Sequence, residues 1–236
     1  MHFSEQVREH GFAIVEDVLS PFQVDSLLAA VSSGAVPDAL RGGVRNLMEL
    51  VPEVRTLAAS ETLRALVAPV LGENFFVVRA ILFDKTPDAN WKVPWHQDVT
   101  IAVKERLECE GYGPWSTKAD VLHVQPPADV LEKMISVRLH LDPCPSENGA
   151  LKVIPGSHQH GKLNVAQMER FVEQDSFVCE VRLGGALLMR PLLLHASSPS
   201  TLPGHRRVIH LDFAAVSLPC NMEWFEQTDN PSLASL

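Results

Sequence analysis

Positive charge is in short supply: 20 Lys plus Arg stand against 29 Asp plus Glu, a formal net charge of −9. An excess of that sign repels phosphate backbones and anionic lipid surfaces at long range, which argues against nucleic acid as a main partner. Long apolar runs are missing too. Arg79 and Arg190 interrupt the two best candidates before the about 18 residues a bilayer requires, so no membrane span is expected. Met1 to Glu9 is polar and charged, with no apolar block ending in a small-residue cleavage site, so no secretory signal is visible and a cytoplasmic address is expected. Close cysteine pairs are also absent. Cys109, Cys144, Cys179 and Cys220 are separated by 35, 35 and 41 residues, unlike a zinc knuckle or a redox dithiol, and in a reducing compartment they read as thiols.

What the chain does contain is core-forming material. Its 236 residues are 46% apolar and 21% charged, which suits one globular domain spanning 1–236 and is too little charge for general disorder. The first third, residues 1–74, reads as mainly helical support. Ser20-Pro21 is an N-cap followed by a first-turn proline, and Val24, Leu27, Leu28 and Val31 recur at helical spacing, predicting a helix from Pro21 to Ser33. A second helix is expected after Ser60, with Leu63, Leu66, Val67 and Val70 on one face, Pro69 kinking or ending it early, and Gly72 as a stop.

Beyond Phe75 the pattern turns to short β-rich runs: Phe75–Phe83, Met134–Leu141, Ala150–Ile154, Phe177–Leu183, Ala186–Met189 and Arg207–Val216. Turn signals such as Asn148-Gly149, Pro155-Gly156 and Gly184-Gly185 separate them. Many short strands favour a sandwich or barrel over 75–220, with the N-terminal helices packed on one outer face. Thr100–Lys133 mixes charges with Gly and Pro, fits no strand, and is expected to be a lid insertion over 100–133.

The chemistry concentrates at Trp95-His96-Gln97-Asp98. On extended backbone, residues i and i+2 share a face, so His96 and Asp98 can present an imidazole nitrogen and a carboxylate oxygen to one point. His195, at the end of the apolar run Leu192–Leu194, is the candidate third ligand. Ser197 lies two residues after it and Arg206 eleven. Two histidines and one carboxylate leave three open positions on an octahedral metal, the arrangement of non-haem Fe(II) oxygenases. A guanidinium beside a hydroxyl offers a bidentate fork and a further donor to a carboxylate. His158 and His160 form a competing His-x-His pair, but in a Gly-flanked loop with no third ligand nearby.

Together, His96-x-Asp98, His195-x-Ser197, Arg206, Glu147-Asn148-Gly149-Ala150-Leu151 and Ile154-Pro155-Gly156-Ser157-His158 resemble the phytanoyl-CoA dioxygenase family over roughly 79–214. That resemblance implies a mainly β, double-stranded β-helix (a cupin-like jelly roll) with Fe(II) on His96, Asp98 and His195. It also implies a 2-oxoglutarate cosubstrate anchored by Arg206 and Ser197, with O2 as oxidant and succinate and CO2 as products. Arg207 is the competing anchor should the strand start one residue out of register; the family spacing favours Arg206. Retention of Asp98, where related halogenases leave room for chloride, implies hydroxylation of a small-molecule substrate. Arg138 and His140 share a strand face, and family members often carry an aromatic residue at the Arg138 position. These two residues, with Trp115 of the expected lid, are the candidate substrate contacts; Phe83 and Lys85 stand close enough in sequence to line the same cavity, but a core or surface role is the favoured reading for both. No pyrophosphate cradle is visible, so a CoA thioester is unsupported, and nothing specifies oligomeric state. The competing class is a cupin-like metal-binding protein, an isomerase, lyase or noncatalytic sensor, using the same ligands without O2 chemistry.

Overall fold

The structure, a computed structural model, describes residues 1–33 and 43–227. The N-terminal third supplies α1 (Phe3–His10), β1 (Phe12–Val15), α2 (Pro21–Val31), α3 (Leu47–Leu50), α4 (Pro52–Ala58) and α5 (Glu61–Leu71). In α2 the Ser20 hydroxyl caps the Gln23 amide while the Gln23 side chain accepts from Ser20 N, a reciprocal box that fixes where the helix starts. Pro69 does not shorten α5, because it sits near the end of the helix, which runs on to Leu71.

The strands that follow are β2 (Phe76–Lys85), β3 (Val93–His96), β4 (Ile101–Val103), β5 (Trp115–Lys118) and β6 (Val121–Val124). After α6 (Ala128–Glu132) come β7 (Met134–His140) and β8 (Leu151–Val153). After α7 (Val165–Val172) come β9 (Phe177–Cys179), β10 (Ala186–Met189), β11 (His195–Ser197) and β12 (Arg206–Ala214). They form a large sheet in the order β1-β10-β7-β12-β2, a smaller one in the order β3-β11-β8-β9 and a third, β4-β6-β5. Every pairing is antiparallel. The first two sheets make the jelly roll.

Strand alternation divides the large sheet into two chemically different faces. Val77, Leu82, Ile135, Val137, Leu139, Ile209, Leu211 and Phe213 join Val24, Leu27, Val54, Leu57, Leu63 and Val67 of the helices in one buried apolar cluster. Burying a side chain of this size stabilises by roughly 1.5–3 kcal/mol. The intervening residues Arg79, Lys85, Ser136, Arg138, His140, Arg206, His210 and Asp212 carry polar and charged groups on the opposite face, inside the roll.

Two expectations need correction. Thr100–Lys133 is not strandless, since it holds β4, β5, β6 and α6. Its strands are only three or four residues long and are interrupted by Gly and Pro, so alternation never runs long enough to register. Nor are all four cysteines thiols. Cys109 and Cys220 form a disulfide across 111 residues, a pairing that no local spacing reveals, while Cys144 and Cys179 are free and buried. The thiol reading followed from the expected reducing compartment, and a disulfide is unusual there. Among the described residues, no helix is long and apolar enough to cross a membrane.

Candidate metal centre

His96 ends β3 and His195 begins β11, and the two are directly paired in register, which brings their rings to a centroid separation of 4.1 Å. Asp98 sits just past β3, where its backbone amide donates to Pro191 O at 2.9 Å. Its carboxylate oxygens lie 3.8 Å from each histidine Nε2. One ligand atom from each residue falls within 4.8 Å of the others, and among the described residues this is the group of potential ligands that could hold a metal ion.

Tautomers are decided by the backbone. His96 Nδ1 is 2.9 Å from Pro94 O and His195 Nδ1 is 2.8 Å from Leu193 O. A carbonyl only accepts, so each Nδ1 carries a proton and each Nε2 is the ring nitrogen left to face Asp98 and any ion between them. Burial lowers the His195 pKa below the usual imidazole range, which keeps that ring neutral. Burial alone would raise the Asp98 carboxyl, but the charged Arg79 guanidinium pulls the other way and the pKa stays below the ordinary value. Two neutral nitrogens and one carboxylate oxygen are a donor set that fits a divalent first-row ion. Gln97 points the other way: its amide donates to Gly161 O and Leu192 O and accepts from Leu163 N, clamping the segment between the ligands.

The ligands open onto a cavity of about 340 Å³. At its deep end are Arg138, Arg206 and Ser197. Lys85 stands opposite Arg206 in register, and its ammonium donates to Ser197 Oγ (3.1 Å) and Ser198 O (2.7 Å). Burial, then the neighbouring Arg206, pull the Lys85 pKa down to about 7. Arg206 donates to Gly149 O. Gly149 has φ +68°, and a Cβ there would stand 2.5 Å from Ser198 O, so the Asn148-Gly149 turn shapes this end through its lack of a side chain. Arg207 points away and forms a bidentate pair with Asp142.

A buried network backs the site. Asp212 accepts from Arg79 Nε, Ser136 Oγ and His210 Nε2. Arg138, which can only donate, gives its proton to His210 Nδ1, so His210 is neutral with its own proton directed at Asp212. Arg138 also lies over the Phe83 ring, and no carboxylate comes within ion-pair distance of it among the described residues.

Of the residues singled out from sequence, His96, Asp98, His195, Ser197, Arg206 and Arg138 line this one cavity. His140 is buried on the same face with both ring nitrogens unpartnered, outside the cavity lining. Trp115 packs in a separate apolar cluster, under Arg106. His158 contacts Arg8 O and His160 stacks on Phe171, away from the ligands. Sequence reading missed Arg45, Arg79, Lys118, His210 and Asp212. Strand alternation from Arg206 would have found His210 and Asp212, whereas Arg45 and Lys118 carry no local signal.

A jelly roll holding two histidines and a carboxylate on the wall of a cation-lined cavity is the donor arrangement of the mononuclear non-haem iron oxygenases. The chain matches the family described as Phytanoyl-CoA dioxygenase (PhyH) over residues 7–208. It belongs to that family of non-haem iron, 2-oxoglutarate-dependent enzymes. Among solved structures, it is similar to the non-heme alpha ketoglutarate dependent carbocyclase SnoK from nogalamycin biosynthesis, at 16% identity and TM-score 0.70, covering 99% of this chain and 89% of that one. The epimerase SnoN in complex with Fe3+, alpha ketoglutarate and nogalamycin RO matches at 16% identity and TM-score 0.68, covering 90% and 82%. HygX from Streptomyces hygroscopicus with nickel and 2-oxoglutarate bound matches at 17% identity and TM-score 0.63, covering 89% and 86%. No curated protein matches the sequence.

Proposed function

We propose that this protein is an Fe(II)- and 2-oxoglutarate-dependent dioxygenase that hydroxylates a small-molecule substrate and releases succinate and CO2. The observation that carries the reading is a metal triad opening onto the same cavity as two buried guanidiniums, a combination suited to a dicarboxylic acid that chelates at one end. His96, Asp98 and His195 would hold the iron. Bound iron, with O2 and the 2-oxo acid, supplies the oxidising equivalent for attack on a C–H bond.

The chain's own residues supply binding and placement. Arg206 offers its fork to the distal carboxylate with the Ser197 hydroxyl as a further donor, and the Lys85 ammonium stands behind Ser197, outside the cavity lining but close enough to add its charge. Arg138, held by His210, adds a second guanidinium on the same wall. The segment 100–133 acts as the lid, and its Thr100 and Lys118 reach the cavity. A cavity of about 340 Å³ is at the small end for ligand sites, which suits a compact substrate better than a CoA thioester.

The test is anaerobic addition of Fe(II) and 2-oxoglutarate: a weak visible charge-transfer band is expected in the wild type and lost in His96→Ala. Succinate formation on admitting O2 then separates an oxygenase from a cupin-like isomerase, lyase or sensor, which would make none. A product heavier by one oxygen, in a screen of metabolite extracts for coupled O2 uptake, identifies hydroxylation; an isomer or a product lighter by two hydrogens would redirect the reading to epimerisation or ring closure.

A further inference from the structure

The cavity is more cationic than a bound dicarboxylate requires. Its lining holds Arg45, Arg79, Lys92, Lys118, Arg138 and Arg206, with Asp98 as the one carboxylate among the described lining residues. On the proposed reading, on which this inference rests, Arg206 and Arg138 face the distal end of 2-oxoglutarate and Asp98 faces the metal. Arg79 is already paired with Asp212. Glu226, the other carboxylate close to Arg79, accepts from Ala80 N and lies outside the lining.

Lys92 is exposed at the rim, which leaves Arg45 and Lys118. They come from elements far apart in sequence, the segment before α3 and the end of β5, yet each is close enough to Arg79 for the positive charges to act on one another. Among the described residues, Lys118 Nζ donates only to a neutral group, Thr100 Oγ1, at 3.2 Å. Arg45 Nε is buried without a hydrogen-bond partner among the described residues. Bringing two cations together in a partly buried place is unfavourable unless something negative joins them. Trp91 stands in the same lining, with the Lys85 ammonium 5.6 Å from its ring centroid.

We infer that the substrate carries an anionic group, a carboxylate or a phosphate ester, which Arg45 and Lys118 grip at the cavity mouth while the rest of the molecule lies toward the metal ligands. These two residues then set specificity and orientation without touching the cosubstrate.

Calorimetric titration of the Ni(II)- and 2-oxoglutarate-loaded protein with phenyl phosphate, benzoate and uncharged benzyl alcohol tests this. At least one of the two anions should bind at a single site and weaken about tenfold in Arg45→Gln and in Lys118→Gln, the loss expected for one charge-assisted hydrogen bond. Phenyl phosphate against benzoate shows which anion is preferred, and benzyl alcohol should not respond to either substitution. The 2-oxoglutarate affinity of both variants should stay at the wild-type value, and their thermal midpoints should not fall, since each substitution relieves a like-charge contact in the substrate-free protein. Absence of binding by both anions, or binding that both variants retain, overturns the inference. Weakened 2-oxoglutarate binding in Arg45→Gln also overturns it, by assigning that residue to the cosubstrate. Failure of wild type to take up Ni(II) and 2-oxoglutarate would defeat the oxygenase reading separately, and the same anion titration on metal-free protein would still decide whether the cation pair binds.

Discussion

Lys85 gives the proposed cosubstrate site a pH dependence that can be worked out in advance. The side chain is 1% exposed, touches the Ser197 hydroxyl and sits across from Arg206. With its pKa drawn down to about 7, half of the ligand-free protein carries a neutral Lys85 at neutral pH. A dicarboxylate arriving beside Arg206 favours the charged form, so binding draws a proton from solvent: about half a proton at pH 7 and close to one at pH 8. Well above the folded pKa each pH unit costs about 1.4 kcal/mol, and because only about half a proton is taken up at pH 7, the 2-oxoglutarate Kd should rise about fivefold from pH 7 to 8. The rise should level off when the charge-assisted bond, worth roughly 1.5–3 kcal/mol, has been lost. Facing groups do not confuse the measurement. Arg206 and Arg138 stay charged, burial and Arg138 hold His140 neutral, and burial raises the Cys144 thiol. Calorimetry of the Ni(II)-loaded protein from pH 6 to 8.5, in two buffers of different ionisation enthalpy, reads affinity and proton uptake together. Lys85→Met should bind about 10- to 100-fold more weakly at pH 6, with a flat profile and no uptake. An unchanged pH profile in the variant, or no proton uptake by wild type, would refute the reasoning.

Further outcomes follow from the same structure. Without ligand, the unfolded chain holds more protons on Lys85 than the folded one between about pH 7 and 10.5, so wild-type stability climbs with pH across that window and Lys85→Met should raise the melting temperature more at pH 6 than at pH 9. Asp212→Ala strips Arg79, Ser136 and His210 of one acceptor and should cost roughly 3–5 kcal/mol in denaturant unfolding; a loss below about 1 kcal/mol would show that the network is not a unit. Arg206→Ala should weaken 2-oxoglutarate at least about tenfold while Arg207→Ala, which breaks only the pair with Asp142, should leave that affinity alone; the reverse result would exchange the two roles. Removing the Cys109–Cys220 bridge, which spans 111 residues, should destabilise by roughly 2–5 kcal/mol, and four titratable thiols in the denatured, unreduced protein would show that the bridge does not form.

The legible part of the molecule was the part built on local periodicity. Helix α2 shows in its Ser20-Pro21 start, and β7 and β12 in their apolar alternation, because neighbours in the chain decide those features. The metal triad was legible for a different reason: His96-x-Asp98 fits one strand face, and His195 stood out only beside Ser197 and Arg206. What stayed hidden depends on chain segments meeting from a distance. Arg45 and Lys118 converge through the third sheet and the segment ahead of α3, and Cys109 finds Cys220 across half the chain. Lys85 was in view for its nearness to the His96 loop, but its depressed pKa comes from standing across a strand pair from Arg206, and Trp115 misled because an aromatic in a charged segment reads as a contact when it is core for its own small sheet.

Each imidazole of the candidate metal centre is oriented by the carbonyl two residues behind it in its own chain segment, Pro94 for His96 and Leu193 for His195. No side chain from the cavity wall is enlisted to set the rings. The wall can therefore be rebuilt, in a laboratory library as readily as in natural divergence, without dismantling the centre it surrounds, which makes this scaffold a ready starting point for retargeting to new substrates.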